Sequence, residues 1–351
     1  MHWFIVPDLD GPITGGTLFN RMLIEALRES GTACNVLSLA QAPAVLTRVA
    51  PRDTFWVDSL YLDAFPGLVR AAAGTVPVAL VAHYLPSLIV HGGGTSLADL
   101  TRAEAEALRV AAGFLVPSPF MRQIVERFAG AQCPIVHVEP GRLARGGVAS
   151  PAPPVRAVMV ANLVPGKGVV PFLASLAEQI SATDDVHLTI VGGSALDPPY
   201  AERCQRLGAD RRFDGRVVFE GVLSPVQTMA RMETSNVLIS SSVMESYGMA
   251  LAEARTLGLP IVAVDGGNVA ALVAPRAGGE VVSNAEDLVT ACLALARDPA
   301  EHRLRIERAR AHALPARPWA LAARDFVAQA ASFSGTSWRT CAETEPCCDG
   351  R

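Results

Sequence analysis

From Asn236 the chain reads Asn-Val-Leu-Ile-Ser-Ser-Ser-Val, then, from Glu245 to Glu253, Glu-Ser-Tyr-Gly-Met-Ala-Leu-Ala-Glu, then Ala-Arg-Thr-Leu-Gly-Leu-Pro-Ile-Val-Ala-Val. The first run is a short buried strand ending in small hydroxyl residues. Ala250 to Leu257 has helix-forming composition until Gly258 and Pro260 stop it, and Ile261 to Val264 is a second β-branched strand. Two such strands joined through a helix belong to a parallel sheet covered on both faces.

Gly248 falls where this helix begins, so the backbone N–H groups of Gly248, Met249 and Ala250 lack intrahelical acceptors and sit at a positive dipole end. With no side chain at Gly248, a bulky anion can approach that backbone closely. A phosphate or diphosphate fits. Glu245 and Glu253 bracket the same place, and two carboxylates would repel a bare phosphate. They make sense only if the ligand also carries hydroxyls to donate, as a nucleotide sugar does.

The string Glu-x7-Glu, with an aromatic-Gly pair after the first Glu, flanking strands and a Gly-Leu-Pro ending, resembles the signature of retaining glycosyltransferases of family 4. That family has the GT-B fold: two Rossmann-like, doubly wound parallel-sheet domains facing a cleft, with a C-terminal helix crossing back to the N-terminal domain. The resemblance implies that Glu245 lies near the donor sugar and Glu253 holds the nucleotide ribose. It covers roughly residues 1 to 332 and is strongest from Ala157 to Val264.

The rest of the composition excludes other classes. A chain of 351 residues accommodates two domains of ordinary size, and 50% hydrophobic with 18% charged residues fits a compact protein. A net charge of −4 offers no basic field for nucleic acid. No run reaches the roughly 18 apolar residues of a membrane span, and the first residues lack a basic signal-peptide start, so a cytoplasmic location is expected, with peripheral membrane contact left open. Of seven cysteines, Cys34, Cys133, Cys204 and Cys292 stand singly in apparent strands and helices, as reduced core thiols do. Cys341, Cys347 and Cys348 lie in a tail, 333–351, that reads as disordered.

In the expected N-terminal domain, 1–150, Trp3-Phe-Ile-Val-Pro opens a strand. The loop Asp8-Leu-Asp-Gly-Pro-Ile-Thr-Gly-Gly leads into a helix from Thr17 to Arg28. Asp8-x-Asp10 is read as a turn rather than a metal site. Gly15 and Gly16 match the family's Gly-Gly loop beside the sugar-transfer site, a plain strand-to-helix turn being the alternative. Further strands are read near 34–39, 54–60, 76–83, 113–118 and 135–138. His83 ends one of them, which puts it at the sheet's C-terminal edge. It resembles a His that these enzymes place close to the reacting sugar. His91, in a Gly-rich loop, is a weaker candidate.

Residues around 140–155, with Gly146-Gly147 and Pro151-Ala-Pro-Pro, read as a hinge. The second domain, 151–315, restarts the alternation with a strand at Ala157 and a loop, Asn162-Leu-Val-Pro-Gly-Lys-Gly. Lys167 in that loop is placed to offer a point charge to a phosphate. The family usually has Arg where this chain has Asn162, which leaves more of the diphosphate to Lys167 and the Gly248 helix start. The segment from Val217 to Val222 corresponds to the family's nucleotide-base region. The Arg-rich stretch from Glu301 to Ala313 reads as a solvated helix, since its arginines do not share a face. After Pro315 and Pro318, a helix over 316–332 matches the crossover element.

Sequence alone therefore points to a retaining, metal-independent glycosyltransferase. Its donor is a nucleotide-diphosphate sugar, it has no cofactor, and its hydroxyl acceptor is a glycan, lipid or small molecule. Expected site residues are His83, Glu245 and Lys167 for chemistry, and Gly15, Gly16, Asn162, Lys167, Gly248, Met249, Ala250 and Glu253 for the donor. A non-catalytic nucleotide-sugar-binding subunit, and a nucleotide-sugar hydrolase or epimerase on the same fold, are the alternatives.

Overall fold

A computed structural model describes residues 1–50, 52–143 and 153–333. Gly146, Gly147 and Pro151 of the expected hinge, and Cys341, Cys347 and Cys348, lie outside the described residues. The chain divides into two compact units. Among the described residues, the first comprises 1–11, 15–141 and 318–333, and the second comprises 12–14 and 142–317.

The first unit is built on β1 (His2–Ile5), β2 (Cys34–Leu37), β3 (Thr54–Asp58), β4 (Val78–Val81), β5 (Phe114–Val116) and β6 (Ile135–His137), all parallel, in the order β2-β1-β3-β4-β5-β6. Every residue of β3 and β4 is buried, which is why their sequences run apolar without alternation. Helix α1 (Gly15–Glu29) turns Phe19, Leu23, Ile24 and Leu27 inward at spacings that share one face.

The helix Trp319–Ala330 groups with this unit and packs along α1 and β6. Its Phe326 ring lies 5.1 Å from the Trp56 ring and 5.8 Å from Phe4. Full burial of a side chain of this size is worth about 1.5–3 kcal/mol. The Gln329 amide accepts the His137 N–H at 2.9 Å and donates to the His137 carbonyl at 2.8 Å. A side chain thus completes the hydrogen bonds that edge strand β6 would otherwise leave open.

The second unit is built on β7 (Val155–Val160), β8 (Val186–Val191), β9 (Val217–Gly221), β10 (Val237–Ser240), β11 (Ile261–Val264) and β12 (Glu280–Val282), again parallel, in the order β12-β11-β10-β7-β8-β9. Read from β9 this is the dinucleotide-fold order, three strands wound one way and three the other, with the direction reversing between β7 and β10. Helix α2 (Val169–Gln179) buries Phe172, Leu173 and Leu176 against one face, and α3 (Met249–Thr256) buries Leu251, Ala252 and Ala254 against the other. No helix among the described residues is long and apolar enough to cross a membrane.

Three sequence expectations change. Gly15 and Gly16 are the first residues of α1 rather than a loop; a helix's first turn lacks internal N–H acceptors, so glycine costs little there. His91 is exposed at the end of the short helix Pro86–His91. Cys34, Cys204 and Cys292 are buried free thiols, but Cys133 is disulfide-bonded. It occupies the turn before β6 rather than the interior of an element. Asp8 forms the turn read for it: its carboxylate accepts the Asp10 N–H at 3.0 Å and its carbonyl the Gly11 N–H at 3.1 Å.

Candidate functional site

In the second unit, β7 and β10 lie side by side where the winding reverses, so the loops leaving their C-terminal ends meet at the customary ligand position of such sheets. The loop after β7 carries Asn162 and Lys167. The loop after β10 carries Ser241 and Glu245.

Lys167 and Glu245 touch directly, Nζ to Oε1 at 2.5 Å, with side chains 30% and 18% exposed. Backbone contacts hold them there. The Val243 N–H donates to the Gly166 carbonyl at 3.1 Å, and the Ser241 hydroxyl donates to the Lys167 carbonyl at 2.7 Å. Gly168, at φ +65°, lets the loop press so close that a Cβ there would stand 2.1 Å from the Ser241 carbonyl oxygen. On its other side Glu245 forms a parallel bridge with Gly267, and its carbonyl accepts the Asn268 N–H at 2.7 Å. Asn268 also donates its side-chain amide to the Tyr247 carbonyl at 2.8 Å. The turn from Asp265 to Asn268 is thus a cradle for the Glu245 backbone.

Gly248 adopts φ +86°, ψ +60° and caps α3 without a side chain. The N–H groups of Gly248, Met249 and Ala250 find no acceptor among the described residues. Glu253 stands one helical turn further along α3. Burial pushes its carboxyl up to about 7. Lys167, Glu245, the open N–H groups and Glu253 form a cation, two carboxylates and a row of donors at one sheet edge.

Asn162 stands apart in role. Its Oδ1 accepts the Gly193 N–H at 2.8 Å and its Nδ2 donates to the Ile13 carbonyl at 2.8 Å. One amide therefore joins the turn after β8 to the segment 12–14, a use that the longer, donor-only Arg could not reproduce.

The first unit gathers a separate cluster. His83 follows β4 and is 7% exposed; its Nε2 lies 2.9 Å from Asn20 Oδ1 and 3.5 Å from Asp58 Oδ2. Asn20 Nδ2 donates to Asp58 Oδ2 at 2.6 Å. Burial lowers the His83 pKa, against an opposing pull from Asp58. Gly16 backs the ring: a Cβ there would stand 3.2 Å from His83 Cδ2. Gly15 has no such neighbour. Asn20 and Asp58 were not legible as site residues, because Asn20 sits mid-helix and Asp58 ends an otherwise apolar strand.

Residues 144–312 match the family model for glycosyl transferases group 1. No curated protein matches the chain significantly. Among solved structures, the chain is similar to the sucrose-phosphate synthase from Thermosynechococcus elongatus, with a TM-score of 0.71, 16% identity, and coverage of 96% of this chain and 99% of that one. It is similar to Anabaena HepE in complex with UDP-glucose, with a TM-score of 0.69, 18% identity and coverage of 94% and 99%. A glycosyltransferase from Rickettsia africae gives a TM-score of 0.65 at 16% identity, covering 96% and 99%. The two parallel six-stranded sheets with flanking helices are those of the GT-B fold. The stretch that matches the family model lies within the second unit.

Proposed function

We propose that the chain is a family 4 glycosyltransferase that takes a sugar from a nucleoside-diphosphate donor and passes it, with retention at the anomeric carbon, to a hydroxyl of a glycan, lipid or small molecule. The observation that carries this reading is the 2.5 Å contact between Lys167 and Glu245 beside the open N–H groups of Gly248, Met249 and Ala250. A cation and a helix start suit a diphosphate. The adjoining carboxylates suit the hydroxyls of ribose and sugar.

In this reading Lys167 turns from Glu245 to the diphosphate as the donor enters, freeing Glu245 to accept from sugar hydroxyls. Glu253 holds the ribose. The acceptor oxygen forms its bond to the anomeric carbon on the face from which the diphosphate leaves. The C–O bond to the phosphate breaks with its electron pair going to the diphosphate, and a phosphate oxygen takes the acceptor's proton. Charge on the leaving group is met by Lys167 and the helix-start N–H groups, so the scheme uses no metal. That similar folds have been solved with UDP-glucose supports a uridine donor as the first to try.

One observation favours a second reading. Asn162 has both ends of its amide committed to protein groups, where the resemblance has an Arg. Weaker hold on the diphosphate is what a binding subunit without turnover would tolerate. The experiment is to incubate the protein with UDP-glucose and other nucleotide sugars and a pool of hydroxyl acceptors. Acceptor-dependent nucleotide release, with a product whose anomeric proton coupling matches the donor's, is the expected result. Release independent of acceptor points to a hydrolase, and binding without release points to the subunit.

A further inference from the structure

Asp58 closes β3 at 1% exposure, and its two oxygens are spoken for: Oδ1 accepts the Leu60 N–H at 2.8 Å and Oδ2 accepts Asn20 Nδ2 at 2.6 Å. A carboxylate accepts only, so Asn20 must present its NH₂ to Asp58 and its carbonyl oxygen to His83. That oxygen lies 2.9 Å from Nε2. An amide oxygen also accepts only, so Nε2 carries the ring's hydrogen and Nδ1 holds the lone pair.

The ring cannot turn away from this choice. Gly16 leaves room for Cδ2 and no more, and Phe19 meets the ring edge-on at 5.2 Å between centroids. Nδ1 pairs with nothing among the described residues. By contrast, the fully buried His302 uses its Nε2 on the Asn236 carbonyl, as a histidine serving the core does. A buried carboxylate is costly; the one beside His83 caps the turn after β3 with one oxygen and, with the other, holds the amide that orients the imidazole.

We infer that Asn20 and Asp58 are positioning residues that lock His83 in the Nε2–H tautomer, so that Nδ1 is left as an acceptor for a hydroxyl of a ligand bound at the first unit. The tautomer does not rest on the proposed function.

The test uses the full chain labelled with ¹⁵N-histidine and two-bond proton–nitrogen correlation spectra at pH 7, with His83 identified by its loss in His83→Gln. The wild type should give the Nε2–H pattern. Asn20→Leu and Asp58→Asn, checked for retained melting transitions, should each give a mixture or the Nδ1–H form. An Nδ1–H pattern in the wild type, or an unchanged Nε2–H pattern in both variants, overturns the relay; the wild-type spectrum decides the first point even if one variant does not fold.

Discussion

Lys167 and Glu245, 78 residues apart in sequence, meet at 2.5 Å where the second sheet reverses its winding. Each is the other's counter-ion. A double-mutant cycle of Lys167→Met and Glu245→Gln, followed by chemical denaturation, should give a coupling of about 0.5–1.5 kcal/mol, modest because both side chains remain partly exposed. Saturating UDP should reduce that coupling, since the proposed diphosphate contact takes Lys167 away. Coupling unchanged by UDP would mean that Lys167 never leaves Glu245.

Glu253 sets a pH dependence. Its folded-state pKa of about 7 stands above the ordinary 4.5. The folded chain therefore holds an extra proton between those values, and stability is full below about 4.5 and declines as pH rises through 7. Glu253→Gln removes the charge and with it the decline. Relative to wild type, the variant should gain about 1–3 kcal/mol at pH 8 and match it near pH 4.5. Parallel stability curves for the two proteins would show that Glu253 ionises without cost.

Gly168→Ala tests the seat of the Lys167 loop. A Cβ at φ +65°, placed 2.1 Å from the Ser241 carbonyl, forces either loop or strand end to move. A loss of about 1–3 kcal/mol follows, read as a lower melting temperature, together with weakened nucleotide binding. Gly31→Ala, also at positive φ but with open space around it, should cost less and leave binding intact.

Asn162 separates stability from affinity. Asn162→Ala strands the Gly193 N–H and the Ile13 carbonyl, at a cost of about 1–3 kcal/mol. Asn162→Arg also loses the acceptor that Gly193 needs, so its melting temperature should fall. It adds a cation to the loop, so UDP should bind more tightly. Equal melting temperatures in wild type and both variants would remove the structural role assigned to Asn162.

Sequence exposed the architecture because parallel strands buried on both faces leave unbroken apolar runs, as in Phe55-Trp56-Val57. It exposed Gly248, Glu245 and Glu253 because a helix start, its glycine and its carboxylates are neighbours in the chain. Strand order was hidden, since it depends on which crossovers close over which face. Asn20 and Asp58 were hidden for a related reason: their partner His83 is 63 residues from the one and 25 from the other, and neither sits in a local pattern that sets it apart. Gly15 and Gly16 read as a loop because glycine ordinarily breaks helices, yet Gly16 is needed inside one so that His83 can pack against it. Asn162 was read only as a missing Arg, and its two hydrogen bonds to distant backbone gave no sign in the sequence.

The most direct test of a nucleotide-sugar site in the second unit is calorimetry of UDP and UDP-glucose, alongside other nucleoside diphosphates and their sugars, against wild type, Lys167→Ala and Glu253→Ala. At least one nucleoside diphosphate should bind the wild type selectively, and each substitution should weaken it by roughly tenfold or more, about 1.4 kcal/mol or above. Failure of every nucleotide to bind the folded wild type, or binding indifferent to both substitutions, would contradict the assignment.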